Sequence, residues 1–73
     1  MSPKLPRISG EKLIRALCRN GYTITRQKGS HVILRNLEGV IVTVPRHDQL
    51  KLGTLRNILR TTEISVVELI EML

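Results

Sequence analysis

The first patterned stretch of the chain has apolar residues at helical spacing. Its stripe is formed by Leu13, Ile14, Leu17 and Cys18. Ser9 stands where an N-cap residue belongs, and Gly21 accepts the left-handed backbone that ends a helix. We therefore predict a first helix between these two residues, with Cys18 as a small apolar member of its buried stripe.

Three short segments rich in β-branched residues follow, each separated from the next by a turn. The predicted strands are Tyr22–Gln27, His31–Asn36 and Val40–Pro45. Side chains alternate strictly along a strand. If Val32 and Leu34 of the middle strand are buried, then His31, Ile33 and Arg35 lie on the other face, where we expect Ile33 to be partly covered.

Two further helical stretches complete the chain. The first is predicted to begin near residues 51–53 and to run to about Arg60, where a short break follows. Its inward-facing residues are expected to be Leu55, Ile58 and Leu59. Ser65 and Glu68 have the spacing of a capping box, which predicts a last helix over Val66–Met72.

The order of these elements is α-β-β-β-α-α. Adjacent strands on short turns pair antiparallel, and helices cover one face of such a sheet. We therefore expect an α+β fold with a three-stranded antiparallel sheet and helices packed on one face. A chain of 73 residues is expected to be a single domain, residues 1–73. Residues 1–7, with two prolines and two basic side chains, are predicted to form an extended basic arm.

The charge of the chain is distributed unevenly. Residues 1–60 carry twelve basic and three acidic residues, a net charge of +9, whereas residues 61–73 carry three acidic residues and no basic one. A polyanion is therefore attracted to the first sixty residues. Tyr22 is the only aromatic residue, which argues against binding modes that stack RNA bases on aromatic side chains.

Composition also disfavours several classes of protein. The single cysteine cannot form an internal disulfide, and Met1–Ser9 lacks the apolar run of a secretory signal. No stretch approaches the roughly 20 apolar residues of a membrane span, so a soluble, cytoplasmic protein without membrane contact is expected. The histidines and carboxylates show no metal-ligand spacing and no nucleotide motif occurs, so we expect neither a metal nor a cofactor.

His31 is the strongest candidate for chemistry, because it opens a predicted strand directly after Lys28-Gly29-Ser30. Imidazole titrates near neutral pH and can transfer protons. The glycine lets a phosphate approach the backbone, and the lysine and the turn N–H groups can hold a phosphate oxygen. RNA supplies its own nucleophile, the 2′-hydroxyl group. On spacing alone, an ordinary surface histidine is the commoner outcome.

Further phosphate contacts are expected from the groups around His31. These are Arg26, Lys28, Arg35 and Arg46, together with Gly29 and Ser30 in the turn. His47 follows directly in a polar loop. The residues leave open whether it is a second acid/base group, a phosphate contact or a simple turn residue.

Four motifs occur in a fixed order along the chain. They are Gly21-Tyr22, Arg26-Gln27-Lys28-Gly29-Ser30-His31, Thr43-Val44-Pro45 with His47, and Leu52-Gly53-Thr54-Leu55-Arg56-Asn57-Ile58-Leu59. Over about Ile8–Leu73 this set resembles the HicA family of toxins from bacterial and archaeal toxin–antitoxin systems. The chain departs from the family in its longer basic arm and in Val32, which stands where a second histidine is frequent.

The resemblance implies a fold like the double-stranded RNA-binding domain and metal-independent cleavage of messenger RNA. It also implies inhibition by a HicB-type antitoxin that covers the active site. When the antitoxin is absent, we expect the protein to be a monomer. It places the family's catalytic histidine at His31 and a family glycine at Gly29. For Gly53-Thr54-Leu55, which matches the family's helix start, a helix N-terminus packed closely on the sheet and a phosphate site both stay open.

Three functions therefore compete. The leading hypothesis is an RNA-cleaving toxin in which His31 acts as general base or acid. The first alternative is a non-catalytic module of the double-stranded-RNA-binding type, which the basic surface fits equally well. The other is an inactive toxin homologue that only binds its antitoxin.

Overall fold

The computed structural model describes residues 4–73. Its elements are α1 (Gly10–Arg19), β1 (Tyr22–Lys28), β2 (His31–Asn36), β3 (Ile41–Pro45), α2 (Leu52–Thr62) and α3 (Val66–Met72). This order confirms the predicted α-β-β-β-α-α arrangement and the α+β class. Residues 1–3 of the expected arm lie outside the described part of the chain.

The three strands form one antiparallel sheet in the order β1-β2-β3. In the central strand Val32 and Leu34 are fully buried, whereas His31 and Arg35 are exposed and Ile33 is half-buried. The helices therefore pack on the face of the sheet that carries Val32 and Leu34, and the opposite face, here called the outer face, is open to solvent. The predicted facing of β2 is confirmed.

The hydrophobic core between the helices and the sheet is aliphatic except for one tyrosine. Its members are Ile8, Leu13, Ile14, Leu17, Tyr22, Val32, Leu34, Val42, Val44, Leu50, Leu55, Ile58, Leu59 and Leu69. Leu5 packs against this core, so the predicted arm is docked on the protein from that residue onward. Burial of these side chains, at about 25 cal/mol per Å², is the main favourable contribution to folding.

Cys18 is exposed, so its predicted place in the buried stripe of α1 is wrong. The buried residues of this helix are Gly10, Leu13, Ile14, Ala16 and Leu17. Residue 18 lies about 100° around the helix axis from residue 17. The buried arc is centred on Leu13 and Leu17 and ends before it reaches Cys18.

The ends of the elements differ slightly from the predictions. β1 extends one residue further, to Lys28, and β3 begins one residue later, at Ile41. α2 continues to Thr62, whose Oγ1 donates a hydrogen bond of 2.9 Å to the Ile58 carbonyl oxygen one turn earlier. Glu63 then ends the helix in a left-handed conformation, with φ of 59°. The inward residues of α2 are buried as predicted.

α3 begins with the predicted capping box. The Glu68 backbone N–H donates to Ser65 Oγ at 3.0 Å, and the Ser65 backbone N–H donates to Glu68 Oε1 at 3.0 Å. These hydrogen bonds favour the ionised carboxylate, so the pKa of Glu68 is lowered, first by the backbone N–H of Ser65. Leu69 is fully buried and anchors this short helix on the core.

Candidate nucleic-acid interface

A tight hairpin turn places His31 at one end of the outer face. Lys28 and His31 are cross-strand partners, so Gly29 and Ser30 are the two residues of the turn. Gly29 has φ of 60°, and a positive φ at the first residue of a two-residue turn is the II′ pattern, which calls for glycine. Neither turn N–H donates a hydrogen bond within the described residues, so both are available to an anionic ligand.

An irregularity in β1 determines which way its basic side chains point. Ile24 pairs with Leu34 and Arg26 pairs with Ile33, so Thr25 is an extra residue in the strand. Thr25 Oγ1 donates a hydrogen bond of 3.2 Å to the Ile33 carbonyl oxygen. Such a β-bulge shifts the alternation of side chains by one position.

The bulge brings the β1 cations to the side of the sheet where His31 lies. Without it, Arg26 and Lys28 would share the helix-covered face with Ile24, because side chains two residues apart point the same way. In the observed register Arg26 lies opposite Ile33 and Lys28 lies opposite His31, so both belong to the outer face. Both side chains are exposed. Alternation along the sequence gives no sign of this shift.

Arg35 lies on the same face but apart from the turn. It is four residues from His31 on β2, which corresponds to about 13 Å along the strand. Its cross-strand partners are Thr23 and Ile41, both uncharged. The outer face therefore carries a row of basic side chains that starts at Lys28, beside His31, passes Arg26 and ends at Arg35.

Arg46 differs from the other candidate cations because its charge is already paired. Its guanidinium donates to the Glu11 carboxylate, and its Nη2 lies 3.4 Å from Gln27 Oε1. Its backbone N–H donates a hydrogen bond of 2.7 Å to the Ser30 carbonyl oxygen. Arg46 thus connects α1 and β1 to the hairpin turn, and it positions the turn more directly than it offers a free charge.

His47 lies beside the turn in the loop after β3. It comes two residues after Pro45, which is the cross-strand partner of His31. Its carbonyl oxygen accepts a hydrogen bond of 2.9 Å from the Gly10 backbone N–H, and the residue is exposed. The structure therefore brings His31, Lys28 and the Arg46-His47 segment to one end of the sheet.

Gly10 is the residue of this region that sequence reasoning missed. A Cβ atom at Gly10 would lie 1.8 Å from the Pro45 carbonyl oxygen, so only glycine permits α1 to begin against the end of β3. Gly53 shows the opposite environment, because a Cβ atom there would meet nothing within 4 Å. Gly53 itself makes no close approach, whereas Leu55 of the same helix start is fully buried in the core with the strand residues, and the closest backbone approach occurs at Gly10.

The chemistry of the outer face is that of an exposed imidazole among cations. Within residues 4–73 no ion pair includes Arg26, Lys28 or Arg35. The same part of the chain contains no group of three histidine, cysteine, aspartate or glutamate side chains arranged to hold a metal ion. This face offers positive charge, free turn N–H groups and one proton-transfer group to a ligand that approaches from solvent.

A comparison with models of known protein families identifies the family to which this chain belongs. Residues 10–64 match the model of the HicA toxin of bacterial toxin–antitoxin systems. The chain belongs to the HicA toxin family. The match covers about three-quarters of the 73 residues and includes α1, the whole sheet and α2. A comparison with curated protein sequences gives no match.

The HicA match includes the bulge, the hairpin turn and His31, whereas α3 and the arm lie outside it. The family is that of a toxin that works in a pair with an antitoxin. No helix of this HicA chain, within residues 4–73, is both long and apolar enough to cross a membrane.

Proposed function

We propose that this HicA toxin is an endoribonuclease that binds messenger RNA on the outer face of its sheet and cleaves it with His31. The observation that carries the proposal is the position of His31. It is an exposed imidazole paired across the strands with Lys28, next to a glycine turn with two free N–H donors. Family membership supports the toxin role, and the cytoplasm, where messenger RNA is translated, is the proposed location.

The proposed reaction uses the 2′-hydroxyl of RNA as the nucleophile. Its oxygen forms a bond to the adjacent phosphorus, the bond from phosphorus to the 5′-oxygen breaks, and the product is a 2′,3′-cyclic phosphate. His31 removes the 2′-hydroxyl proton as general base or protonates the departing 5′-oxygen as general acid. Because the nucleophile belongs to the substrate, the reaction needs no metal-bound water.

The cations around His31 have a separate role in the proposal. Lys28 and the N–H groups of Gly29 and Ser30 hold a non-bridging oxygen of the reacting phosphate, where charge develops in the transition state. Arg26 and Arg35 hold neighbouring phosphates along the face. Arg46 and His47 contribute mainly by fixing the turn and the loop beside it, since the Arg46 charge is shared with Glu11.

The proposed protein partner is a HicB-type antitoxin that covers His31. An acidic surface on that partner would be attracted to the same cations that hold phosphate. An antitoxin bound in this way would block His31 and the phosphate-binding cations at the same time. In the absence of the antitoxin, the proposed state is a monomer.

The reaction type is tested with two matched oligonucleotides in buffer containing a metal chelator. We expect the purified protein to cleave an RNA strand and to leave the same strand with 2′-O-methyl groups intact, because the methyl group blocks the nucleophile. The RNA fragments should end in a 2′,3′-cyclic phosphate, as detected by mass spectrometry. Cleavage of the methylated strand, or loss of all cleavage in the chelator, would contradict the proposed mechanism.

The phosphate contacts are tested by the salt dependence of RNA binding. Three contacts, from Arg26, Lys28 and Arg35, predict a slope of about −2 for log K against log salt on single-stranded RNA. Arg26→Gln should make this slope shallower by about 0.7, whereas Arg15→Gln on α1 should leave it unchanged. Fluorescence anisotropy with the 2′-O-methyl strand measures both slopes without cleavage. Equal slopes for the two variants would place the RNA on another surface.

A further inference from the structure

A second cationic surface lies in the helical layer, away from the outer face. It is a groove of about 840 Å³ between the N-terminal arm and the helices α2 and α3. Its basic side chains are Lys4, Arg7, Arg56 and Arg60, and its apolar side chains are Leu5, Leu52, Leu59, Ile64 and Val66. None of these residues belongs to the sheet, so the groove shares no residue with the proposed RNA site.

The charge around this groove is unbalanced. No acidic residue of the described chain lines it, and none of its four cations takes part in an ion pair within residues 4–73. Arg56 and Arg60 are four residues apart on α2, a spacing at which like charges repel each other. The helix dipole favours Arg60 in the last turn of α2. The helix dipole does not explain why Arg56 and the two cations of the arm lie beside this groove.

The apolar part of the groove identifies the class of ligand. Its floor is aliphatic, and Leu52 is 38 % exposed at the first position of α2. An RNA strand gains little from such a floor, since no aromatic side chain is present there to stack a base. A peptide with leucine-like side chains and carboxylates gains from both parts, because it buries its apolar side chains and neutralises the surrounding cations.

We propose that this groove, here called the arm–α2 groove, is a docking site for an acidic amphipathic segment of a partner protein. The apolar side chains of that segment fill the space between Leu5 and Leu52, and its carboxylates pair with Arg56, Arg60 and the arm cations. The acidic helix of a second copy is a poor occupant, because α3 has only seven residues and its Leu69 is buried in its own core. Since the groove is separate from the outer face, its occupation leaves His31 accessible.

The experiment uses a labelled probe peptide of about 15 residues with leucine and glutamate at amphipathic helical spacing. A peptide of the same composition in scrambled order is its control. We expect the full-length protein to bind the first peptide and the scrambled one at least about tenfold more weakly, as measured by fluorescence anisotropy. Equal binding of both peptides would reduce the interaction to unspecific charge attraction and overturn the proposal.

Matched charge reversals locate the binding site. The double variant R56E/R60E is expected to weaken peptide binding at least about tenfold, whereas K12E/R15E on α1 changes the net charge equally and should retain it. Leu52→Ala should weaken binding severalfold through the apolar contact alone. Thermal unfolding confirms that each variant is folded. Retained peptide binding by R56E/R60E, or self-association of the parent protein through this groove in light scattering, overturns the proposal.

RNA cleavage separates this inference from the proposed function. R56E/R60E should cleave RNA at the parental rate, since neither arginine belongs to the outer face. His31→Ala should bind the probe peptide as the parent does. A loss of RNA cleavage in R56E/R60E without a change in peptide binding would assign the groove to nucleic acid and contradict the docking site.

Discussion

Replacement of His31 with alanine is expected to lower the rate of RNA cleavage by about 10²- to 10⁴-fold, the usual contribution of a general acid or base. The side chain is exposed and lies on the outer face, so its removal opens no cavity in the core. The thermal unfolding temperature should therefore stay close to that of the parent. RNA binding should also persist, because Arg26, Lys28 and Arg35 are unchanged.

The control for this prediction is His47→Ala. His47 lies in the adjacent loop, and its only described hydrogen bond is made by its carbonyl oxygen, which alanine retains. We expect this variant to keep cleavage within about tenfold of the parent, well below the roughly 10²- to 10⁴-fold loss expected when a general acid or base is removed. Cleavage rates are measured on one RNA strand at saturating protein. If His31→Ala cuts as fast as the parent and still binds RNA, His31 is not the catalytic group.

If neither the parent nor His31→Ala cleaves RNA, the result favours one of the two alternative functions. Salt-sensitive binding to RNA by both proteins would favour a non-catalytic RNA-binding module. Binding to a HicB-type antitoxin without any binding to RNA would favour an inactive homologue. The His31 experiment therefore separates the three hypotheses that the sequence allows.

Gly10→Ala is expected to lower the free energy of unfolding by about 3 kcal/mol or more, the upper range for overpacking a core. The added Cβ would lie 1.8 Å from the Pro45 carbonyl oxygen and 2.8 Å from its carbonyl carbon. Both are backbone atoms, so no side-chain rotation relieves the clash. α1 and the end of β3 must separate, and this displaces the loop that contains Arg46 and His47. Urea unfolding followed by circular dichroism measures the loss.

Gly53→Ala is the matched control for that substitution. It introduces the same methyl group in the first turn of α2, where nothing lies within 4 Å of the new atom. Alanine restricts the unfolded chain more than glycine does and favours the helix, so a gain of about 0.4 to 1 kcal/mol is expected. Similar stabilities for the two variants would show that α1 does not begin in close contact with β3.

Most of the fold was predictable because its local signals agree with its tertiary structure. The capping box at Ser65 and Glu68 and the alternation around Val32 and Leu34 each predict a local conformation that packing also favours. Cys18 was misplaced because an apolar residue at the margin of a stripe can lie on either side of the burial boundary. The predicted α2 ended two residues too early. In the structure the Thr62 hydroxyl donates a hydrogen bond to a carbonyl oxygen of the same helix, so this residue is accommodated in the last turn.

The turn that carries the candidate site was predictable from the sequence, whereas the geometry around it was predictable only in part. The sequence predicts that Gly29 and His31 lie at a turn, because a turn depends on residues that are adjacent in the chain. The bulge at Thr25 leaves no sequence signal, because an extra residue in a strand depends on register with its neighbour. The pairing of Arg46 with Glu11 joins residues 35 positions apart, and only the packing of α1 against β3 brings them together.

The bulge in β1 also bears on how the protein avoids aggregation. β1 is an edge strand, with unpaired backbone groups that could template the addition of a strand from another chain. A bulge distorts such an edge, and charged side chains along it repel an incoming strand. Thr25, Arg26 and Lys28 therefore hinder self-pairing at this edge, and the same bulge turns two cations toward the outer face. Loss of these cations would therefore leave the protein more prone to aggregate.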